Sequence, residues 1–293
     1  MSQIHDPLIP GEHTRRLTAA GRERSYLLHV PPSYDATKNA SVVLAFHGGG
    51  SNARQMTYFC GLDEKADAEG FLVVYPNGTG RTENFLTWNA GNCCGYARHA
   101  NVDDVEFVAK VLDDLMKVAN VDSDRVFATG MSNGGMMAYR LAAELSDRIA
   151  AIAPVGGPVG ATECHPERAV PVLHFHGTDD KFAPFEGGRG ERSLSQTDFH
   201  SVAHSVGCWI SANGCQPEPI VTEEPVKVAD GTRVIRKTWA GGTNGAVVML
   251  IEIVGGGHTW PGRQAVLLFL GKSTKNISAN DELWEFFKRH PRR

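Results

Sequence analysis

Short, wholly apolar runs alternate with amphipathic stretches along most of the chain. Residues 41–46 (Ser-Val-Val-Leu-Ala-Phe) and 71–75 (Phe-Leu-Val-Val-Tyr) have the pattern of central strands buried on both faces. Residues 149–154 and 170–176 read as two more strands, and the β-branched, apolar run 125–129 as another. Alternation over 24–30 predicts a half-exposed strand stopped by Pro31-Pro32. Residues 233–239 and 247–254 predict strands separated by a Gly-rich turn at 241–245. Helical spacing runs through Val105, Phe107-Val108, Val111-Leu112 and Leu115-Met116, with Asp103-Asp104 at the end where negative charge suits the dipole. Residues 62–68, 135–145 and 280–290 also predict helices. Strands alternating with helices imply an α/β fold, a doubly wound, mostly parallel sheet flanked by helices. No internal repeat and no Pro/Ser linker divides the chain. A single domain over 1–293 is expected, with 1–21 as a flexible or loosely packed extension.

The composition excludes several classes of partner. The formal charge is -4 over 293 residues, with no basic run suited to nucleic acid. No apolar stretch approaches the roughly 18 residues of a membrane span. The first residues lack an apolar core behind a basic start, so they are not a signal peptide. A cytoplasmic location is expected, or a secreted one if an export signal precedes this sequence. Six cysteines (60, 93, 94, 164, 208 and 215) are sparse for a disulfide scaffold. A local Cys208–Cys215 bridge is conceivable, and the number of disulfides stays open between none and three.

Gly130-Met131-Ser132-Asn133-Gly134 changes the picture. It lies between the strand at 125–129 and the helix at 135–145, the strand–turn–helix setting of a nucleophile elbow. A serine hydroxyl needs a base to take its proton. In α/β hydrolases the partners follow in the order serine, acid, histidine. Asp179 and Asp180 follow the strand ending near His176, and Asp180 is the favoured acid; either could also be a simple turn residue. His258, in Gly255-Gly256-Gly257-His258-Thr259-Trp260-Pro261-Gly262, follows the last apolar strand and is the expected base. An oxyanion hole is expected from the Asn133 N–H and from Gly48 or Gly49 in the run His47-Gly48-Gly49-Gly50. The irregular stretch 181–214 is expected to cover the catalytic face. Trp88 and Trp260 are candidate aromatic walls for substrate, or core residues. His200 and His204 share an i,i+4 spacing but no third ligand is evident, so a solvated helix face is expected rather than a metal site. His174 and His176 alternate on a strand and are read as pointing to opposite faces.

These motifs, together with Trp88-Asn89, Cys93-Cys94-Gly95, Asp103-Asp104-Val105 and His176-Gly177-Thr178-Asp179-Asp180, resemble the polyhydroxybutyrate depolymerase/feruloyl esterase family, carbohydrate esterase family 1. The resemblance runs from about Arg24 to the terminal helix. It implies an α/β-hydrolase fold and hydrolysis of carboxylic esters without a cofactor. The substrates implied are feruloyl or acetyl esters of plant polysaccharide, or 3-hydroxyalkanoate esters, small or polymeric. The family's acid falls on Asp180. A peptidase on the same fold, or a non-catalytic binding protein on a hydrolase scaffold, are the alternatives. The sequence leaves the natural ester, the oligomeric state and the contribution of 181–214 open.

Overall fold

The computed structural model describes residues 8–265 and 267–292. In chain order the strands are β1 (Gly11–Ala19), β2 (Arg22–Val30), β3 (Ala40–Phe46), β4 (Leu72–Pro76), β5 (Val121–Met131), β6 (Ala151–Val155) and β7 (Val172–Gly177). They continue with the short β8 (Gly188–Arg189) and β9 (Asp198–Phe199), then β10 (Ile220–Glu223), β11 (Arg233–Trp239) and β12 (Val248–Val254). The helices are α1 (Ala53–Cys60), α2 (Leu62–Glu69), α3 (Gly95–His99), α4 (Asp104–Val118), α5 (Asn133–Glu144), α6 (Val202–Asn213) and α7 (Ala279–Arg289).

Ten strands form one sheet in the order β1-β2-β4-β3-β5-β6-β7-β12-β11-β10. The centre, from β4 through β3, β5, β6 and β7 to β12, is parallel. The two margins are antiparallel. The sheet is apolar on both faces because successive residues point to opposite sides. Val42, Leu44 and Phe46 join the layer under α4, α5 and α6, whereas Val43 and Ala45 join the layer under α1, α2 and α7. The second layer is closed by aromatic stacking of α7 on the sheet, Phe71 against Trp284 at 4.2 Å and Phe127 against Phe287 at 4.6 Å. Asp103 caps α4 by accepting the Glu106 N–H at 2.8 Å, which fixes where that helix begins. Its neighbour Asp104 is fully buried and paired with Arg24 at 2.8 Å.

The N-terminal stretch differs from expectation. Residues 11–19 of the supposed extension form β1, paired with β2 across all nine residues. Arg15 locks the strand to α4 through two hydrogen bonds to Asp114, at 2.7 and 3.0 Å. An edge strand with one solvated face carries few apolar residues, so hydrophobic patterning does not reveal it. Residues 1–7 lie outside the described residues. Within 181–214 the structure has α6 and the β8–β9 pair. Cys93 and Cys94 form a disulfide, while Cys60, Cys164, Cys208 and Cys215 are free. The conceivable Cys208–Cys215 bridge is absent; the Cys208 thiol instead meets Cys164.

Candidate active site

Ser132 sits between β5 and α5 at φ 57°, ψ -122°, a left-handed backbone that costs a non-glycine residue about 1–3 kcal/mol. Its N–H donates to the Val155 carbonyl on β6 at 2.8 Å, and its carbonyl accepts from Met136 at 3.0 Å. The flanking glycines are needed for space. A Cβ at Gly134 would lie 2.2 Å from the Phe46 carbonyl oxygen, and one at Gly130 would lie 2.7 Å from the same atom. This close approach brings the end of β3, and the Gly-rich loop after it, against the start of α5.

β7 ends at Gly177, and the following turn buries Asp180 while leaving Asp179 exposed. Asp180 Oδ1 accepts the N–H groups of Phe182 at 2.8 Å and Ala183 at 2.9 Å. Its Oδ2 lies 2.6 Å from His258 Nδ1. Burial pushes the Asp180 carboxyl up, but His258, His176 and the Ala183 N–H outweigh it and hold it below the ordinary carboxylate value. His258 is carried on the loop after β12, where its N–H donates to the Leu270 carbonyl at 2.7 Å. Phe182 stacks on its ring at 5.0 Å. With Nδ1 donating to Asp180, Nε2 is the nitrogen left to accept a proton. Ser132 and His258 line the same cleft; among the described residues no hydrogen bond joins their side chains directly. Such contacts commonly tighten only around bound substrate.

The Gly-rich loop is braced from behind. His47 Nδ1–H donates to the Gly48 carbonyl at 2.8 Å, and its Nε2 accepts the Gly78 N–H at 3.0 Å. Burial lowers its pKa to about 4, so the ring is a neutral brace. Gly48 and Gly49 line the cleft beside Ser132. The Asn133 amide is buried and clamps Trp88, accepting from its N–H at 2.7 Å and donating to its carbonyl at 3.1 Å. The side-chain amide is thereby engaged, and the Asn133 main-chain N–H stands at the open start of α5.

Neither candidate tryptophan is a cleft wall. Trp88 is fully buried, donates its indole N–H to the His47 carbonyl at 3.0 Å and packs on Phe46. Trp260 is buried, donates to Asn280 at 2.8 Å and packs behind Phe59. Indoles with their polar atom satisfied inside the protein serve packing. The cleft, of about 530 Å³, is instead walled by Met56, Tyr58, Phe59, Met131, Phe182, Leu267 and Leu270, with Gln55 and Ser51 as polar groups beside Ser132 and His258. These come from α1, from Met131 at the end of β5, and from segments without periodicity. The only signal for Phe182 was its place two residues after the acid. The reading of His174 and His176 also needs correction. Residues two apart on a strand share a face, and here their rings meet, Nε2 to Nδ1, at 3.0 Å. His200 precedes α6 and stacks on His204 at 4.2 Å.

Residues 24–186 match the family model described as esterase PHB depolymerase. NocK of Nocardia uniformis subsp. tsuyamanensis, which carries an esterase name, is 34% identical over 93% of this chain and 81% of its own. Feruloyl esterase B of Piromyces equi is 27% identical over 80% of this chain, which spans only 42% of that protein. The acetyl xylan esterase structure from Aspergillus awamori superposes with a TM-score of 0.65 at 16% identity, covering 94% of this chain and 99% of that one, and shares the α/β-hydrolase fold. On the strength of the matched family model and relatives, the chain belongs to the esterase PHB depolymerase family and is a carboxylic ester hydrolase.

Proposed function

We propose that Ser132, His258 and Asp180 act as a catalytic triad, cleaving carboxylic esters through an acyl-enzyme. The observation that carries this reading is the 2.6 Å contact of buried Asp180 with His258 Nδ1, in a ring that opens on the same cleft as Ser132. His258 Nε2 takes the hydroxyl proton as Ser132 Oγ attacks the ester carbonyl carbon. Asp180 holds the imidazole in the required tautomer and balances the imidazolium that forms. Main-chain N–H groups of Asn133 and of Gly48 or Gly49 receive the developing oxyanion. The imidazolium returns its proton to the departing alcohol, and water attacks the acyl-enzyme by the same route.

The walls favour an apolar or aromatic acyl group. Three aromatic rings and four aliphatic or thioether side chains line the cleft with Ser132, and among the described residues lining it the titratable side chains are His258 and Tyr58. A feruloyl-type aryl ester fits such walls better than an acetyl group, which buries little of them. A feruloyl ester on plant polysaccharide is the proposed substrate, supported by relatives named feruloyl esterase, with 3-hydroxyalkanoate esters as the competing substrate. Ser132→Ala should abolish hydrolysis of p-nitrophenyl acetate while the protein stays folded; retained turnover refutes the triad. A panel of methyl ferulate, acetylated xylan and 3-hydroxybutyrate oligomers tests the acyl preference, which fails if methyl ferulate has the lowest kcat/KM.

A further inference from the structure

Next to Asp180, and not among the residues that line the cleft, runs a line of buried polar groups that the reaction above does not use. Tyr139 OH lies 2.9 Å from His174 Nδ1. His174 Nε2 lies 3.0 Å from His176 Nδ1, and His176 Nε2 lies 2.7 Å from the Ala183 carbonyl oxygen. All three side chains are buried in the core.

The partners dictate which atoms carry protons. The Ala183 carbonyl can only accept, so His176 Nε2 must be an N–H. In a neutral ring His176 Nδ1 is then bare and accepts from His174 Nε2–H. His174 Nδ1 is bare in turn and accepts from the Tyr139 hydroxyl. Burial lowers the pKa of both imidazoles, which keeps the rings neutral and the direction of the line fixed.

The line ends on the turn that carries the acid. Ala183, held by its carbonyl, donates its own N–H to Asp180 Oδ1 at 2.9 Å. His176 Nε2 also lies 3.5 Å from Asp180 Oδ2, the oxygen that faces His258. We propose that His176 is a positioning residue for Asp180, gripping the 180–183 turn through the Ala183 carbonyl so that Oδ2 stays aimed at His258 Nδ1, with His174 and Tyr139 fixing its tautomer. This inference rests on the triad reading. Without the grip the turn shifts, the imidazole loses its aim, and a misplacement of about 1 Å costs about 100-fold in rate.

Two amide substitutions separate the two ends of His176. His176→Asn places polar atoms near Nδ1, retaining the contact with His174, but has no donor that reaches Ala183. His176→Gln places an amide N–H near Nε2 and retains the bond to Ala183. Both are compared with the native enzyme and with Ser132→Ala for kcat and KM on p-nitrophenyl acetate. The low-field proton NMR signal of the His258–Asp180 hydrogen bond and thermal unfolding are measured alongside. H176N should lower kcat about 10- to 100-fold with KM within about twofold, and should lose or broaden the low-field signal. H176Q should stay within about fivefold of native kcat and keep the signal. Equal kcat in H176N and H176Q overturns the proposal, whether both are native-like or both fail with a common loss of thermal stability. In that case an inactive S132A leaves the triad standing and only the part given to His176 falls. An active S132A overturns the triad and this proposal with it.

Discussion

Asp180→Asn is the sharpest perturbation the geometry offers. Asp180 Oδ1 accepts two main-chain N–H groups, from Phe182 and Ala183, while Oδ2 accepts one from His258. An asparagine can satisfy the pair of N–H donors only by keeping its oxygen on their side, because its NH2 would otherwise face two donors. The NH2 must then face His258 Nδ1. That nitrogen can accept from it only if the imidazole switches tautomer, which puts the proton on Nε2 and removes the base from Ser132. The substitution is nearly isosteric, so the fold should persist. The expected loss in kcat is about 10^4-fold, the scale on which an orienting aspartate acts. At about 1.4 kcal/mol per tenfold this is roughly 5.5 kcal/mol of transition-state stabilisation. Hydrolysis of p-nitrophenyl acetate by the variant, followed from pH 5 to 9 with thermal unfolding as a control, measures it. A folded variant retaining activity within tenfold of native would refute the tautomer reasoning and, with it, Asp180 as the orienting acid.

Three further outcomes follow from the same structure. Gly134→Ala places a Cβ 2.2 Å from the Phe46 carbonyl oxygen and 2.6 Å from that of His47, so it should cost about 3 kcal/mol and lower Tm; an unchanged Tm would contradict the packing of β3 on α5. Phe182→Ala removes the ring stacked on His258, and should lower kcat/KM for aryl esters about three- to tenfold, while equal kcat/KM would show that the stacking does not organise the site. His47 holds its pKa near 4, against about 6.5 in the unfolded chain. Between those values the unfolded chain binds a proton that the folded site refuses, so this stability is present above pH 6.5 and is lost as pH falls toward 4. By pH 5 the loss is about 2 kcal/mol. His174 and His176 act in the same direction. Urea midpoints at pH 7 and pH 5 should therefore fall further for the native enzyme than for His47→Gln; parallel falls would show that His47 is not the group responsible.

The sequence by itself determined the parts of this protein that short-range pattern controls. Central strands such as β3, β4 and β7 must be apolar on both faces, so their positions are legible within a residue or two. The elbow is legible for a related reason, since only glycine at 130 and 134 permits the approach of β3 to α5. The order of serine, acid and histidine, each after a strand, is likewise local and readable from the chain. Tertiary structure decided the rest. β1 escaped notice because an edge strand has no apolar period. The cleft walls from Tyr58, Phe182 and Leu267 lie more than 200 residues apart at their extremes, and no local pattern links loops that meet only through the sheet. Trp88 and Trp260 carry aromatic chemistry suited to a wall, yet their N–H groups found partners inside the core. The choice of Asp180 over Asp179 became geometric only when the turn after β7 buried one carboxylate and left the other in water. The line from Tyr139 to Ala183 depends on side-chain direction across three elements, and direction is set by packing, which a one-dimensional pattern does not contain.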